Sequence, residues 1–294
     1  MLFECEVLII GGGPAGISTA VQLERLGINF LLVEKSETVG GLVKNANSIE
    51  NFPGVPFGIS GENLVALFER HLDILDISHV RDHIASIRKE KNGFKSVGKN
   101  TFFSKIIVFS GGTVPKKLPE YEKFLDLSIF YDVVSAKEFL LKVNKDQIKT
   151  LIIGGGEAAL DYSLSMVKSG RVDVFVRSNK VKANESLKNQ VFSNSEIKLM
   201  FDTHLKNIFK VNNQIKVAYE TKDSVLKFDI YDILIFAIGR KSALGEINLD
   251  FDSKKAQNGF FIIGDALRSG LGQIGIAVGD GLKAATEIYD LLRG

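Results

Sequence analysis

Two glycine clusters follow short apolar runs in this chain, and their spacing suits the binding of a nucleotide pyrophosphate. The first is Leu8–Gly13, within "VLIIGGGPAG", and the second is Leu151–Gly156, within "LIIGGGEAA". A constant offset of 143 residues aligns the two clusters and also places Val33 on Val176. In such a loop the first glycine makes a tight turn and the second lets the backbone approach a pyrophosphate. The N-terminus of the helix that follows then faces the phosphates.

Each cluster sits in a pattern typical of a β-α-β unit. An apolar run of strand length leads into the glycine turn, a helical segment follows, and a second apolar run ("NFLLVE" and "VDVFVR") closes the unit. The third crowded position is Gly16 in the first copy and Ala159 in the second, and either residue lets a helix pack closely on a strand. A repeat that served packing alone would not require glycine at these positions. The sequence therefore predicts two dinucleotide-binding units.

The informative difference between the copies is the charge at the end of the second apolar run. That residue is Glu34 in the first copy and Arg177 in the second. An acid there accepts hydrogen bonds from a free ribose 2′-hydroxyl, whereas a base accommodates a 2′-phosphate. The first copy thus suits FAD or NAD, and the second suits NADP. Lys180 and Lys182 follow Arg177 and either add positive charge to this site or belong to a solvated loop.

The composition limits the class of protein. The 294 residues are 45% hydrophobic and 24% charged, which is ordinary for a globular protein. The net charge of +2 does not indicate binding to nucleic acid or to an anionic membrane. No apolar run is long enough for a membrane span, and the N-terminus carries acids where a signal peptide needs bases. The one cysteine, Cys5, cannot form an intrachain disulfide or by itself hold zinc or an iron–sulfur cluster. The four histidines show no catalytic-triad or metal-ligand spacing. We expect a cytoplasmic protein.

Further segments, in chain order, resemble the thioredoxin reductases. The resemblance covers nearly the whole chain and rests on "GGL" (residues 40–42), "ENFPGVPFGISGENL" (50–64), "DHI" (82–84), "SGGTVPKKL" (110–118), "FAIGR" (236–240) and "FIIGDALRSGLGQIGIAVGDG" (261–281). It implies an α/β fold of two Rossmann-like, three-layer dinucleotide-binding domains, with the NADP domain inserted into a discontinuous FAD domain. The implied boundaries are 1–112 and 244–294 for the FAD domain and 113–243 for the NADP domain. In this family the NADP domain swings about the two crossing segments, and most members are homodimers.

The same resemblance implies the site residues. Asp265 is placed for the ribityl chain of FAD, and Gln273 and Ile274 lie beside the isoalloxazine. The full implied FAD set is Gly11, Gly13, Pro14, Ala15, Gly16, Glu34, Lys35, Gly41, Leu42, Asn51, Ile84, Gly112, Gly264, Asp265, Gln273 and Ile274. The implied NADP set is Gly154, Gly156, Glu157, Ala158, Arg177, Lys182 and Gly239. No metal site is expected.

The redox dithiol of thioredoxin reductases is missing from this sequence. Their C-x-x-C motif would fall near residues 137–140, where Ser135 and Glu138 instead predict a capping box ahead of an apolar helix. No cysteine follows Cys5, which is expected in the core at the start of the first buried strand. Some relatives without the dithiol have a cysteine directly after the proline of the first glycine loop, where this chain has Ala15.

Electrons are therefore expected to stop at the flavin and to leave for an external acceptor, with no protein side chain in a catalytic role. The chain resembles the thioredoxin-reductase-like ferredoxin–NADP and flavodoxin reductases, which implies FAD and NADPH as cofactors and a ferredoxin or flavodoxin as partner. Gly272 stands where an arginine is common, and "YDLLRG" ends the chain without an aromatic extension, which favours an open flavin face and a small acceptor such as a quinone. The alternatives are an NADPH-dependent quinone or flavin reductase and a non-catalytic FAD/NADP-binding redox sensor.

Overall fold

The computed structural model describes residues 1–124, 128–143, 147–253, 259–268 and 272–293. The chain divides into two compact units. The first comprises Met1–Lys44, Ile49–Val114 and Arg240–Gly294, and the second comprises Asn45–Ser48 and Pro115–Gly239. The second unit is thus inserted into the first along the sequence. Which cofactor each unit binds stays a prediction.

The described residues form six α-helices and eighteen strands. The helices are α1 (Pro14–Arg25), α2 (Gly61–Ile74), α3 (Val133–Leu140), α4 (Glu157–Met166), α5 (Glu185–Phe192) and α6 (Ile274–Arg293). The strands are β1 (Leu2–Ile10), β2 (Phe30–Glu34), β3 (His79–Arg81), β4 (Ser86–Glu90), β5 (Gly93–Val97), β6 (Thr101–Phe109), β7 (Thr113–Pro115), β8 (Ile129–Phe130), β9 (Ile148–Ile153), β10 (Gly170–Phe175), β11 (Ile197–Met200), β12 (His204–Val211), β13 (Gln214–Glu220), β14 (Leu226–Tyr231), β15 (Ile233–Phe236), β16 (Arg240–Ser242), β17 (Asn248–Leu249) and β18 (Phe260–Ile262).

The first unit is built on a sheet with strand order β17-β4-β5-β6-β1-β2-β3, and β18 pairs with the end of β6. The strands around β1 are parallel, whereas β4, β5 and the start of β6 are antiparallel. Successive residues of β1 point to opposite faces of the sheet, and both faces are buried. Val7 and Ile9 pack with α1 and α6, and Leu8 and Ile10 pack with the aromatic cluster around Phe102.

The second unit repeats this plan with a parallel sheet of order β11-β10-β9-β15-β8 and a separate antiparallel sheet β12-β13-β14. Ile152 faces the core formed with α3, α4 and α5. Leu151, its neighbour in β9, faces the core formed with the antiparallel sheet, which contains the buried Val217 and Tyr231. Each unit therefore has three layers, and the predicted fold class is confirmed.

The two chain crossings lie side by side, because β7 pairs with β16. The guanidinium of Arg240 donates to the hydroxyl of Thr113 at 2.9 Å and to its carbonyl at 2.8 Å. The amide of Lys116 donates to the carbonyl of Gly239 at 3.0 Å. The role of these crossings as a hinge stays a prediction.

The predicted capping box at Ser135 and Glu138 is wrong. The helix α3 begins three residues earlier than the box requires, and its N-cap is Asp132, whose carboxylate accepts the amide of Ser135 at 2.8 Å. The hydroxyl of Ser135 donates to the same carboxylate at 3.0 Å. A capping box has a serine or threonine at the N-cap and an acid or glutamine three residues later. In α3 the order is reversed, because the acid Asp132 is the N-cap and Ser135 follows three residues later.

None of the helices in the described residues combines the length and the apolar character that a membrane span needs. Within the same residues, no cluster of histidine, cysteine and acidic side chains is arranged to hold a metal ion.

Candidate functional site

The first glycine loop connects β1 to α1 in a turn that only glycine fits. Gly11 has a φ of +110°, and its amide donates to the carbonyl of Val33 at 2.8 Å. A Cβ at Gly11 would lie 2.6 Å from the carbonyl oxygen of Ser110, and one at Gly16 would lie 1.9 Å from the carbonyl oxygen of Gly11. The crowding holds the start of α1 directly over the end of β1.

The N-terminus of α1 has no side-chain cap. Gly13 is the N-cap and Pro14 is the first helical residue, and no side chain caps the amides of the first turn. The N-terminus of α4 is also without a side-chain cap, because its N-cap is Gly156. By contrast, Ser60, Asp132 and Asn184 cap α2, α3 and α5 through their side chains. The two glycine loops thus leave two helix ends available to an anion, as a dinucleotide pyrophosphate requires.

Glu34 ends β2 and is 7% exposed. One oxygen of its carboxylate accepts the amide of Gly12 at 2.7 Å, and the other accepts the amide of Ser36 at 2.8 Å. Each carboxylate oxygen can accept a further hydrogen bond, so this acid can still receive ribose hydroxyls. The next residue, Lys35, is exposed.

Three further predicted FAD residues lie around this loop. Gly41 and Leu42 begin a short 3₁₀ turn, and a Cβ at Gly41 would lie 3.4 Å from the Cα of Gly13. Ile84 is 2% exposed and follows Asp82, whose carboxylate accepts the amides of His83, Lys99 and Asn100. Burial acts to raise the pKa of Asp82, but these hydrogen bonds outweigh it and hold that pKa below its usual value. The acid therefore stays charged and fixes the loop that carries Ile84.

The C-terminal motif brings Asp265 next to basic side chains. Burial raises the pKa of Asp265, while the guanidinium groups of Arg240 and Arg268 act to lower it. Arg268 forms an ion pair with Asp280, which also accepts the amide of Gly264 at 3.0 Å. Residues 269–271 of this motif lie outside the described residues.

The remaining predicted FAD residues lie at turns of the first unit. A Cβ at Gly272 would lie 3.2 Å from a carboxylate oxygen of Asp265. The side-chain amide of Asn51 donates to the side-chain oxygen of Gln273, directly before Ile274 begins α6. Gly112 has a φ of +64°, and its carbonyl accepts the amide of Ala243 at 2.9 Å.

The second glycine loop repeats the first with small changes. Gly154 has a φ of +156°, its amide donates to the carbonyl of Phe175 at 3.1 Å, and a Cβ there would lie 2.3 Å from the carbonyl oxygen of Ala237. Ala159 occupies the place of Gly16 and is fully buried. Ala158, in the first turn of α4, is exposed.

The predicted equivalence of Val33 with Val176, and hence of Glu34 with Arg177, is wrong by one residue. Ile10 pairs with Val33 in the first sheet, but the equivalent Ile153 pairs with Phe175 in the second. The link between helix and second strand is one residue shorter in the second unit, so the constant offset fails beyond the helix. Val176 therefore stands where the first unit has Glu34, and Arg177 stands where it has Lys35.

The cations of the second loop remain close to the predicted place. Arg177, Lys180 and Lys182 are exposed, and none of the three forms an ion pair within the described residues. The amide of Lys182 donates to the carbonyl of Gly155 at 2.7 Å, which fixes this part of the loop against the glycines. Gly239 has a φ of +106° at the second chain crossing.

Glu157, at the start of α4, turns its carboxylate toward Asn184. One carboxylate oxygen accepts the amide of Asn184 at 3.2 Å and its side-chain amide at 3.3 Å. This acid holds the loop that carries Lys182, and it lies beside a helix end that suits an anion. Sequence reasoning placed Glu157 among the NADP residues, and it did not identify Asn184, Val176, Ser110 or Asp280. Local motifs give little sign of these four, because each acts through a backbone contact distant in sequence.

Cys5 lies in β1 as predicted and is partly buried. Burial raises the pKa of its thiol to about 12. Residues 137–140, where the redox motif would fall, belong to α3, whose Val133 and Ala136 are buried in the helix-side core. Within the described residues these elements thus carry no dithiol chemistry.

Comparisons with known proteins place this architecture in a family. Residues 5–281 match the family described as Pyridine nucleotide-disulphide oxidoreductase. The chain is 26% identical to a "34.2 kDa protein in rubredoxin operon" of Clostridium pasteurianum, over 96% of this chain and 95% of that protein. It is 24% identical to a thioredoxin reductase of Peptoclostridium litorale, again over 96% and 95%.

A solved structure has the same fold over nearly its whole length. The thioredoxin reductase of Lactococcus lactis, in its FR conformation, superposes with a TM-score of 0.86 at 25% identity and covers 98% of this chain and 99% of that one. Together with the two glycine loops and the three-layer units, these matches identify the chain as a thioredoxin-reductase-like member of the pyridine nucleotide-disulphide oxidoreductase family.

Proposed function

We propose that the chain is an FAD-dependent NADPH oxidoreductase that delivers electrons from the flavin directly to an external acceptor, a ferredoxin or a flavodoxin. The observation that carries this proposal is the single cysteine of the sequence. Reduction of a protein disulfide proceeds by thiolate attack through a mixed disulfide, which a second cysteine then resolves. Cys5 has no second cysteine, and its raised pKa leaves little thiolate.

In this proposal the first unit holds FAD. The bare N-terminus of α1 and the crowded glycines of its loop would hold the pyrophosphate. Glu34 would accept the ribose hydroxyls, and Asp265 would bind the ribityl chain. Gln273, oriented by Asn51, would contact the isoalloxazine.

The second unit would hold NADPH. The N-terminus of α4 would face the pyrophosphate, and Arg177 and Lys182 would face the 2′-phosphate as charge-assisted donors. When bound, FAD would supply the redox chemistry between NADPH and the acceptor, and these residues of the two units would hold and orient the two cofactors.

A relative supports a small redox protein as the partner. The protein of Clostridium pasteurianum named for the rubredoxin operon matches 96% of this chain. We further expect a homodimer in the cytoplasm, as the resemblance implies.

A second candidate is an NADPH-dependent quinone or flavin reductase. The observation that favours it is Gly272, which leaves the space beside Asp265 without a side chain. A third candidate, a non-catalytic FAD/NADP-binding redox sensor, predicts cofactor binding without turnover.

The test is steady-state NADPH oxidation by the purified yellow protein with ferredoxin, flavodoxin, a quinone, oxygen and thioredoxin as separate acceptors. The proposal expects the highest kcat/KM with ferredoxin or flavodoxin and background rates with thioredoxin under strict anaerobiosis. A higher kcat/KM with the quinone would select the second candidate. Bound FAD with no turnover of any acceptor, ferricyanide included, would select the third.

A further inference from the structure

Asp265 lies in a short 3₁₀ turn, Gly264–Ala266, that hydrogen bonds hold at both ends. The hydroxyl of Ser242, in β16, donates to the carbonyl of the last residue of the turn at 2.8 Å. The carboxylate of Asp280, in α6, accepts the amide of the first residue of the turn at 3.0 Å. The backbone of Asp265 is therefore fixed from two other elements of the first unit.

The same turn lies against the start of α1. A Cβ at Gly264 would lie 3.0 Å from the Cβ of Ala15, and one at Gly281 would lie 2.3 Å from the carbonyl oxygen of Ala15. The second contact excludes any side chain at Gly281, so α6 packs directly on the first turn of α1. Asp280, the residue before Gly281, thus joins the turn that carries Asp265 to the helix end proposed for the pyrophosphate.

Two guanidinium groups lie close to the carboxylate of Asp265, and each is held by another partner. Arg240 donates to the hydroxyl and to the carbonyl of Thr113. Arg268 forms a bidentate ion pair with Asp280, in which Nη2 donates to Oδ1 at 2.7 Å and Nη1 donates to Oδ2. The same Oδ2 of Asp280 accepts the amide that begins the turn, so one carboxylate fixes both the turn and the cation.

These charges act on the protonation of Asp265. Burial raises the pKa of its carboxyl, the guanidinium groups of Arg240 and Arg268 act to lower that pKa, and the carboxylate of Asp280 acts to raise it. Within the described residues no donor forms a hydrogen bond with the carboxylate of Asp265, so both oxygens are available to a ligand. An ionised carboxylate only accepts hydrogen bonds, which suits a ligand with several hydroxyl donors, such as a ribityl chain.

Asp280 is the anchor of this arrangement. The hydrogen bonds from Arg268 outweigh burial and hold the pKa of Asp280 below its usual value, so the pair stays charged. The side chain of Asp280 is 15% exposed and that of Arg268 is 33% exposed, so the pair is shielded from solvent more than an ordinary surface ion pair.

We propose that Arg268 and Asp280 are positioning residues for FAD, because Asp280 fixes the turn that carries Asp265 and Arg268 places a positive charge beside its carboxylate. The inference rests on the proposed function, which assigns FAD to the first unit. Both side chains act through Asp265. An ion pair with a structural role alone would give the same loss when either charge is removed, whereas these two charges act on Asp265 with opposite sign.

The experiment measures the Kd of FAD for the full-length apoprotein, from flavin fluorescence, in a series from pH 5 to pH 9. Arg268→Gln removes the cation, so the pKa of Asp265 should rise and the Kd of FAD should increase on the order of tenfold at the acid end, with recovery toward the wild-type value at pH 9. Asp280→Asn removes the anion but keeps an oxygen for the amide of Gly264, so the pH profile should move the opposite way, to lower pH. Arg268→Lys keeps the charge and should restore the wild-type profile.

Lys105→Gln is the matched control, because it removes the cation of another ion pair of the first unit, Lys105 with Glu6. The Tm of each apoprotein separates FAD affinity from folding. If Arg268→Gln does not fold, Asp280→Asn decides alone, since only a charge effect on Asp265 moves its profile to lower pH.

Equal losses of FAD affinity in Arg268→Gln and Asp280→Asn at every pH, or affinities equal to that of the control, overturn the positioning role and leave the proposed function standing. Opposite shifts of the pH profile in an enzyme that reduces neither ferredoxin nor flavodoxin support the positioning role and reject the proposed acceptor. A wild type that binds no FAD overturns both.

Discussion

Glu34 and Val176 occupy the same place in the two units, each against the middle glycine of its loop. A Cβ at Gly12 would lie 3.3 Å from the Cβ of Glu34, and a Cβ at Gly155 would lie 2.9 Å from a methyl group of Val176. The carboxylate of Glu34 accepts the amide of Gly12, whereas Val176 offers no acceptor to the amide of Gly155. The second unit therefore lacks the acid that would select a free ribose 2′-hydroxyl, independently of the base that follows.

Val176→Glu is expected to move coenzyme preference toward NADH. The new carboxylate would accept the Gly155 amide, as Glu34 accepts Gly12, and would repel a 2′-phosphate. The ratio of kcat/KM for NADPH over NADH should fall at least tenfold, with FAD content unchanged. Val176→Gln is the control, because it keeps the size without the charge. An unchanged ratio in Val176→Glu would show that this position does not contact the ribose.

Arg177→Glu is expected to lower kcat/KM for NADPH by ten- to a hundredfold, because a charge-assisted contact to phosphate contributes roughly 1.5–3 kcal/mol. The flavin absorbance per chain should stay at the wild-type value. Lys198→Glu, an exposed lysine in the same unit, is the matched charge control. Equal use of NADH and NADPH by the wild type would contradict the assignment.

Glu157→Gln should keep the oxygen that accepts the Asn184 amides while it removes a negative charge beside the pyrophosphate site. The KM for NADPH is expected to fall severalfold, since the repulsion of the anion is lost. Glu157→Ala also releases the loop that carries Lys182 and is expected to raise that KM. If both variants change the KM in the same direction, Glu157 does not position this loop.

Gly16→Ala is expected to destabilise the first unit by about 1–3 kcal/mol and to reduce bound FAD, because its Cβ would lie 1.9 Å from the carbonyl oxygen of Gly11. The reverse change in the second unit, Ala159→Gly, should cost only about 1 kcal/mol through helix propensity. Thermal unfolding and the flavin absorbance per chain measure both effects. Full FAD content and an unchanged Tm in Gly16→Ala would contradict the steric argument.

Cys5 is expected to resist alkylation, since with a pKa of about 12 roughly one thiol in ten thousand is ionised at pH 8. Iodoacetamide should modify it slowly in the native protein and rapidly in denaturant, as mass spectrometry can follow. Cys5→Ser should leave NADPH–ferricyanide turnover unchanged. Thioredoxin reduction that disappears in Cys5→Ser would instead place a thiol on the electron path.

The same pKa sets a dependence of stability on pH. The native thiol keeps its proton well above the ordinary pKa of about 8.5, so the unfolded state binds fewer protons between those two values. The free energy of unfolding should therefore fall as pH rises above about 8.5. Between pH 8 and pH 10 the wild type should lose roughly 2 kcal/mol more than Cys5→Ser.

Several site features could be predicted from the sequence because they depend on local geometry. Gly11 and Gly154 mark turns with positive φ, and the bare helix starts at Gly13 and Gly156 follow from the lack of a capping side chain. The equivalence of Glu34 with Val176 could not be predicted, because a constant offset cannot detect a link that is one residue shorter. Only the strand pairing, Ile10 with Val33 and Ile153 with Phe175, reveals it.

The sequence by itself determined the two β-α-β repeats, the acid of the first unit and the absence of a cysteine pair, since each depends on residue type at a fixed spacing. The tertiary structure decided which side chains meet. It turned Glu157 toward Asn184, and it fixed β14 with Phe228 outward through contacts of Asp229 and Tyr231 to strands distant in sequence. Those contacts depend on strand register, which alternation alone leaves undetermined because either face of an isolated strand could be buried.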